Sequence, residues 1–85
     1  MRTIDYAPEA AREIDALDAT IRERVEIALQ ILAVEPKALH NQIKRLRGFS
    51  ALRLRVGDWR IIFEDGEAEI IVLAVAHRRE VYSRS

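Results

Sequence analysis

LRLRVGDWRIIFEDGEAEIIVLAVAHRREVY, residues 52–82, is the stretch that decides how this chain folds. Its first residues alternate, with Leu52, Leu54 and Val56 on one side and Arg53 and Arg55 on the other. That is the period-two pattern of a strand with one buried face. Gly57-Asp58 signals a two-residue hairpin, since both residues tolerate the positive φ that such turns need. Closing the chain there sets Val56 opposite Trp59, Arg55 opposite Arg60 and Arg53 opposite Ile62. Directly opposed residues share a face. Arg53, Arg55 and Arg60 therefore stand together, while Leu54, Trp59, Ile61 and Phe63 form the core side. Asp65-Gly66 reads as a second two-residue turn. The strand after it, about Ala68 to His77, is apolar on both faces, as a strand inside a sheet is. Continuing the register puts Ile70, Val72 and Ala74 on the core side and Ile71, Leu73, Val75 and His77 on the arginine side.

Upstream, Arg2 to Ala7 alternates and reads as a short strand. Pro8 suits the first turn of a helix and Glu9 suits its positive dipole end. Ala10, Ile14 and Leu17 then recur at helical spacing. Asp18 can cap a second helix, in which Ile21, Val25, Ala28, Leu29 and Leu32 make an apolar stripe that Ile27 and Ile31 widen. Glu35-Pro36 ends it, because the residue before proline avoids the α region. Lys37 to Gly48 lacks periodicity and reads as a connector.

Eighty-five residues make one small domain, 1–85, with a single core. An apolar fraction of 49% beside 33% charged residues fits a globular chain and argues against disorder. The absence of cysteine excludes a disulfide framework and a thiolate nucleophile, and a reducing cytoplasm is the expected location. MRTIDYAPEAARE carries acids and no uninterrupted apolar run, unlike a secretory signal. The seven uncharged apolar residues Ile70 to Ala76 are too few to span a membrane.

The formal net charge of zero is a cancellation. Residues 1–42 carry five Lys/Arg against eight Asp/Glu, and residues 43–85 carry nine against six. Six bases fall within 43–60 (Lys44, Arg45, Arg47, Arg53, Arg55 and Arg60) against the single acid Asp58. Such polarisation hints at an anionic partner. Opposed arginines repel by tenths of a kcal/mol or more. Glu64 and Glu69 can offset that on a solvated face, or the patch can hold phosphate, whose oxygens match the guanidinium fork. His77, Arg78 and Tyr82 follow the last strand, adding a cation and two proton-moving groups to the same region. No phosphate-cradling glycine loop or nucleophile elbow occurs, and no carboxylates are spaced with His40 or His77 as metal ligands. Neither metal nor cofactor is expected.

The order strand, helical hairpin, three antiparallel strands resembles the RelE/ParE superfamily of bacterial toxin–antitoxin toxins, most closely its RelE-like branch. The resemblance rests on YAPEAAREI (6–14), IKRLRG (43–48), LRLRVGDWRIIFE (52–64) and IIVLAVAHRREVY (70–82), and it covers nearly the whole chain. It implies an α+β fold, β-α-α-β-β-β, with a twisted antiparallel sheet packed on one face by the helical hairpin. It also implies an mRNA interferase, an endoribonuclease that works in the ribosomal A site through the message's own 2′-OH, without metal. By that likeness Arg60 and Arg78 match the arginines that stabilise the scissile phosphate, and Arg53 matches a basic strand residue. Tyr82 matches a tyrosine that stacks on a base and assists the chemistry. His77 lies where some members place a proton-transferring histidine. Lys44, Arg45, Arg47, Arg55 and Arg79 supply RNA-binding charge. The implied partners are a cognate antitoxin, in a hetero-oligomer, together with the ribosome and mRNA. The same superfamily leaves open a ParE-like inhibitor of DNA gyrase that acts by protein binding, and an inactive homologue or plain binding module.

Overall fold

β1, Thr3–Tyr6, runs straight into α1, Pro8–Asp15, with Pro8 in the first turn and Glu9 beside it. The computed structural model describes residues 2–46, 48 and 50–79. Ala10 and Ile14, one turn apart, are the buried residues of α1. Asp18 caps α2, Ala19–Val34, its Oδ2 accepting from the Thr20 backbone N–H at 3.1 Å. α2 buries Val25, Leu29, Leu32 and Ala33 and ends at Glu35, before Pro36. Ile27 and Ile31, expected to widen the buried stripe, are instead 53% and 38% exposed. Each lies two residues beyond a buried position, about 200° further round the helix.

The expected connector holds two elements. A 3₁₀ segment, Pro36–Gln42, leads into β2, Ile43–Arg45, which pairs with β3, Leu52–Val56. Three residues are too few to display a period, so pairing with β3 rather than local pattern makes this strand. β4, Trp59–Asp65, and β5, Glu69–His77, complete a sheet of order β1-β5-β4-β3-β2. The sheet is mixed, because β1 lies parallel to β5 (Ile4 beside Ile70, Tyr6 beside Val72) while all other pairs are antiparallel. The chain crosses one face through the helices and re-enters at the far edge. Three reversals then bring β5 back in the direction of β1.

The β3–β4 register is the expected one, with Val56 opposite Trp59, Arg55 opposite Arg60 and Arg53 opposite Ile62. Leu54, Ile61, Phe63, Ile70 and Val72 are fully buried beneath the helices. The β4–β5 connection is not a two-residue turn: Asp65 pairs with Ile70, and the Gly66 N–H donates to the Glu69 carbonyl at 2.9 Å. Arg2 holds this loop. It ion-pairs with Asp65 and donates to the Gly66 carbonyl (3.2 Å) and, at the end of α2, to the Leu32 carbonyl (3.1 Å).

A bulge in β5 changes the expected facing of its second half. Phe63 opposes Val72 but Ile62 opposes Ala74, so one extra residue, Leu73, enters β5 and reverses side-chain parity beyond it. Ala74 and Ala76 thus take the arginine side, while Val75 and His77 take the helix side, opposite Ile61 and Trp59. α1 secures the bulged strand, since Glu13 Oε1 accepts from the Val75 N–H at 2.9 Å. Glu13→Ala should strand that part-buried donor at a cost of about 1–2 kcal/mol. Thermal unfolding should then fall by roughly 5–10 °C, and Glu13→Gln, which keeps an acceptor oxygen, should recover most of the loss.

Candidate anion-binding cleft

The face of the sheet away from the helices carries a shallow cleft of about 140 Å³ lined by Asn41, Gln42, Lys44, Arg53, Arg55 and Arg60. Strand pairing builds it. Lys44 on β2 opposes Arg53 on β3, and Arg55 on β3 opposes Arg60 on β4. Arg55 is exposed and Arg53 half-buried, but Arg60 is only 8% exposed. Glu64 and Glu69 do not neutralise the group. Among the described residues the ion pairs are Arg2–Asp65 and Arg78–Asp58, and neither includes a cation of the cleft. Concentrated, uncompensated charge of this kind favours an anionic ligand.

Arg60 is preset for such a ligand. Its Nη1 donates to the Gly57 and Trp59 carbonyls, each at 3.0 Å, which fixes the guanidinium plane. Both Nη1 hydrogens are thereby committed, and the Nε and Nη2 edge remains, a fork matched to two phosphate oxygens. The turn that supplies the Gly57 carbonyl depends on glycine. Gly57 has φ of 60°, and an added Cβ would sit 3.1 Å from Nη2 of Arg24 on α2. Arg24 packs on this turn from the other side, a placement its sequence position gave no reason to expect.

Arg78 meets the same turn. Its N–H donates to the Asp58 carbonyl at 2.7 Å, and its Nη1 lies 3.8 Å from Asp58 Oδ1. Both side chains of that pair are more than half exposed, so the contact is weak and easily exchanged for another anion. The Gly57-Asp58 turn thus takes contacts from both Arg60 and Arg78, although Arg78 does not line the cleft.

His77 is the correction. The bulge places it opposite Trp59, against which its ring packs edge-on at 5.4 Å, on the helix side of the sheet. Its Nδ1 accepts from the Arg79 N–H at 3.4 Å, so it acts as a local cap for the residues after β5. Arg79 is exposed beside it. Arg45 opposes Leu52 and so has the opposite parity to Lys44, away from the cleft. Arg47 and Tyr82 lie outside the described residues. Asn41 and Gln42 were not anticipated, because they enter the cleft only through the unforeseen β2. Among the described residues no group of three or more His, Cys, Asp or Glu is placed to hold a metal ion. None of the described helices is long and apolar enough to cross a membrane.

Comparisons with known proteins agree with this architecture. The RelBE2 toxin–antitoxin complex from Mycobacterium tuberculosis contains a chain 26% identical, with a TM-score of 0.75, over 91% of this chain and 98% of that one. The isolated RelE toxin of E. coli superposes with a TM-score of 0.76 at 22% identity, over 99% of this chain and 94% of its own. The YoeB/ParE toxin from Agrobacterium tumefaciens shares the fold at 12% identity, with a TM-score of 0.74 over 88% and 96% of the two chains. No curated protein sequence matches. The family model described as the ParE toxin of the type II toxin–antitoxin system, parDE, matches residues 4–82. The chain therefore belongs to the ParE toxin family of type II toxin–antitoxin systems, within the RelE/ParE superfamily.

Proposed function

We propose that this toxin cleaves messenger RNA on the ribosome, in the manner of the RelE-like branch. The observation that carries the reading is the cleft in which Lys44, Arg53, Arg55 and Arg60 converge without an acidic partner among the described residues. In the proposed reaction the 2′-oxygen of one nucleotide attacks the adjacent phosphorus and the 5′-oxygen leaves. A 2′,3′-cyclic phosphate and a free 5′-hydroxyl result. The chemical demand is to stabilise the extra negative charge on the five-coordinate phosphate and to move two protons. The fixed fork of Arg60 would take two phosphate oxygens, with Arg53, Arg55 and Lys44 holding the flanking backbone. Arg78 would exchange Asp58 for the phosphate. His77, on the helix side with Nδ1 already engaged, is poorly placed as the base. Tyr82, to which the resemblance gives base stacking and help with the chemistry, is then the remaining phenol able to move a proton in this reading. Arg45, Arg47 and Arg79 would add charge toward ribosomal RNA.

The partner would be a cognate antitoxin bearing an acidic segment that orders on binding. Solved relatives from Methanococcus jannaschii and E. coli are RelB–RelE antitoxin–toxin complexes. A second reading has its own support: the matching family model is the ParE one, which points to a gyrase inhibitor that acts by protein binding. Inducing the chain alone and mapping transcript ends on and off ribosomes, beside a gyrase supercoiling assay, separates the two. New ends confined to ribosome-bound messages, with supercoiling intact, are expected. Blocked supercoiling with uncut messages would replace the RNA reading by the gyrase one.

A further inference from the structure

The helix-free face of the sheet is divided by charge. Lys44, Arg53, Arg55 and Arg60 occupy its β2–β3–β4 corner. At the opposite corner, strand pairing sets Asp5 beside Ile71, Ile71 beside Glu64, and Glu69 beside Thr3 on the same side of the sheet. Three carboxylates, Asp5, Glu64 and Glu69, therefore gather there. Between the corners lie Ile62, Ile71 and Ala74, half-buried, with both long helices on the other face. Among the described residues, neither ion pair (Arg2–Asp65, Arg78–Asp58) includes Asp5, Glu64 or Glu69. Glu69 is pushed above the usual carboxylate range by a hydrogen bond to Asp5 and then by repulsion from it.

A face that is cationic at one corner, apolar across the middle and acidic at the other is complementary to itself. A two-fold axis lying in the face, along the apolar band, carries each cationic corner onto the partner's acidic corner. We propose that this face docks on the same face of a second copy, and that the pairing closes the anion-binding cleft. Charge complementarity decides for a second copy over other occupants, because one contact satisfies both corners at once. The exposed strip of Ile27, Ile31 and Val34 on α2 is the competing apolar surface.

Area sets the strength. Five strands about 4.8 Å apart give a face of roughly 20 Å by 20 Å, on the order of 400 Å² per copy. The two copies together would bury about 800 Å², below the ~1,000 Å² total of a stable dimer, so the pairing is weak, concentration-dependent and sensitive to salt. Its regulatory consequence rests on the proposed RNA reading: toxin accumulating above the dissociation constant would mask its own cleft, and RNA would compete with the second copy.

Sedimentation equilibrium of the full chain tests the pairing without any activity assay. Raising salt from about 50 mM to about 500 mM should weaken association by about tenfold or more. Glu64→Lys and Arg55→Glu should each abolish it, and an equimolar mixture of the two variants should restore it, since each swapped charge then meets an opposite one. Because salt acts on the unaltered chain, the proposal stays testable even if a variant fails to fold. A monomer at every concentration would overturn it. So would a dimer that ignores both salt and Glu64→Lys, which would assign the contact to the α2 strip. Cleavage failing while the salt-sensitive dimer persists would refute the RNA reading alone. For a Glu64→Lys monomer, which leaves the cleft's cations in place, cleavage should no longer be suppressed at high toxin concentration.

Discussion

Replacing Arg60 and Arg78 together by alanine should lower the rate of message cleavage by on the order of 10³-fold or more, from the usual loss on removing a charge-stabilising donor at the reacting centre. The larger share is expected from Arg60. Its guanidinium is nearly buried, held by the Gly57 and Trp59 carbonyls, and aligned before any ligand arrives, so no reorganisation opposes its action. Arg78 is more than half exposed and, among the described residues, pairs with Asp58 at 3.8 Å, so its single replacement should cost less. Arg60→Lys is the sharper probe. An ammonium keeps the charge but cannot bond two carbonyls and still offer a planar fork, so cleavage should stay at least about tenfold down. Stability should fall by about 1–3 kcal/mol, because two part-buried hydrogen bonds are lost. Single-turnover cleavage and a denaturant melt on the same preparations separate the two effects.

Phe63→Ala should cause the largest loss of stability, about 3–5 kcal/mol. Phe63 heads the fully buried side chains by volume and sits on the helix side, between Leu52 and Val72, next to the bulge. A domain of this size has a total stability of only about 5–15 kcal/mol. The midpoint of thermal unfolding should therefore fall by roughly 15 °C or more, leaving little folded toxin at physiological temperature. Phe63→Leu, which refills most of the volume, should cost less than about 1.5 kcal/mol.

Where hydrogen-bond geometry is local, the fold was legible in the residues. The Gly57-Asp58 turn set the register of β3 against β4, and with it the union of Arg53, Arg55 and Arg60. Pro8, Asp18 and Glu35-Pro36 marked the helix ends. What escaped depends on contacts between distant segments. β2 exists because Ile43–Arg45 meets β3, and its arrival brings Asn41, Gln42 and Lys44 into the cleft. The bulge at Leu73 answers to packing: α1 supplies Glu13 to the Val75 N–H, and the apolar run 70–76 looks the same in either parity. One extra residue was enough to carry His77 from the arginine face to Trp59. Arg24 at the hairpin turn and Arg2 at the β4–β5 loop were equally hidden, since each reaches across the fold to a backbone carbonyl or glycine.

The most direct test adds purified toxin to ribosomes carrying a defined message and examines the new ends by mass spectrometry, with purified DNA gyrase assayed in parallel. Cleavage leaving a 2′,3′-cyclic phosphate, unaffected when the toxin itself is pretreated with chelator and lost in the Arg60→Ala, Arg78→Ala variant, is the predicted result. An intact message beside inhibited gyrase, or cleavage undiminished in that variant, would contradict the role assigned to the cationic cleft.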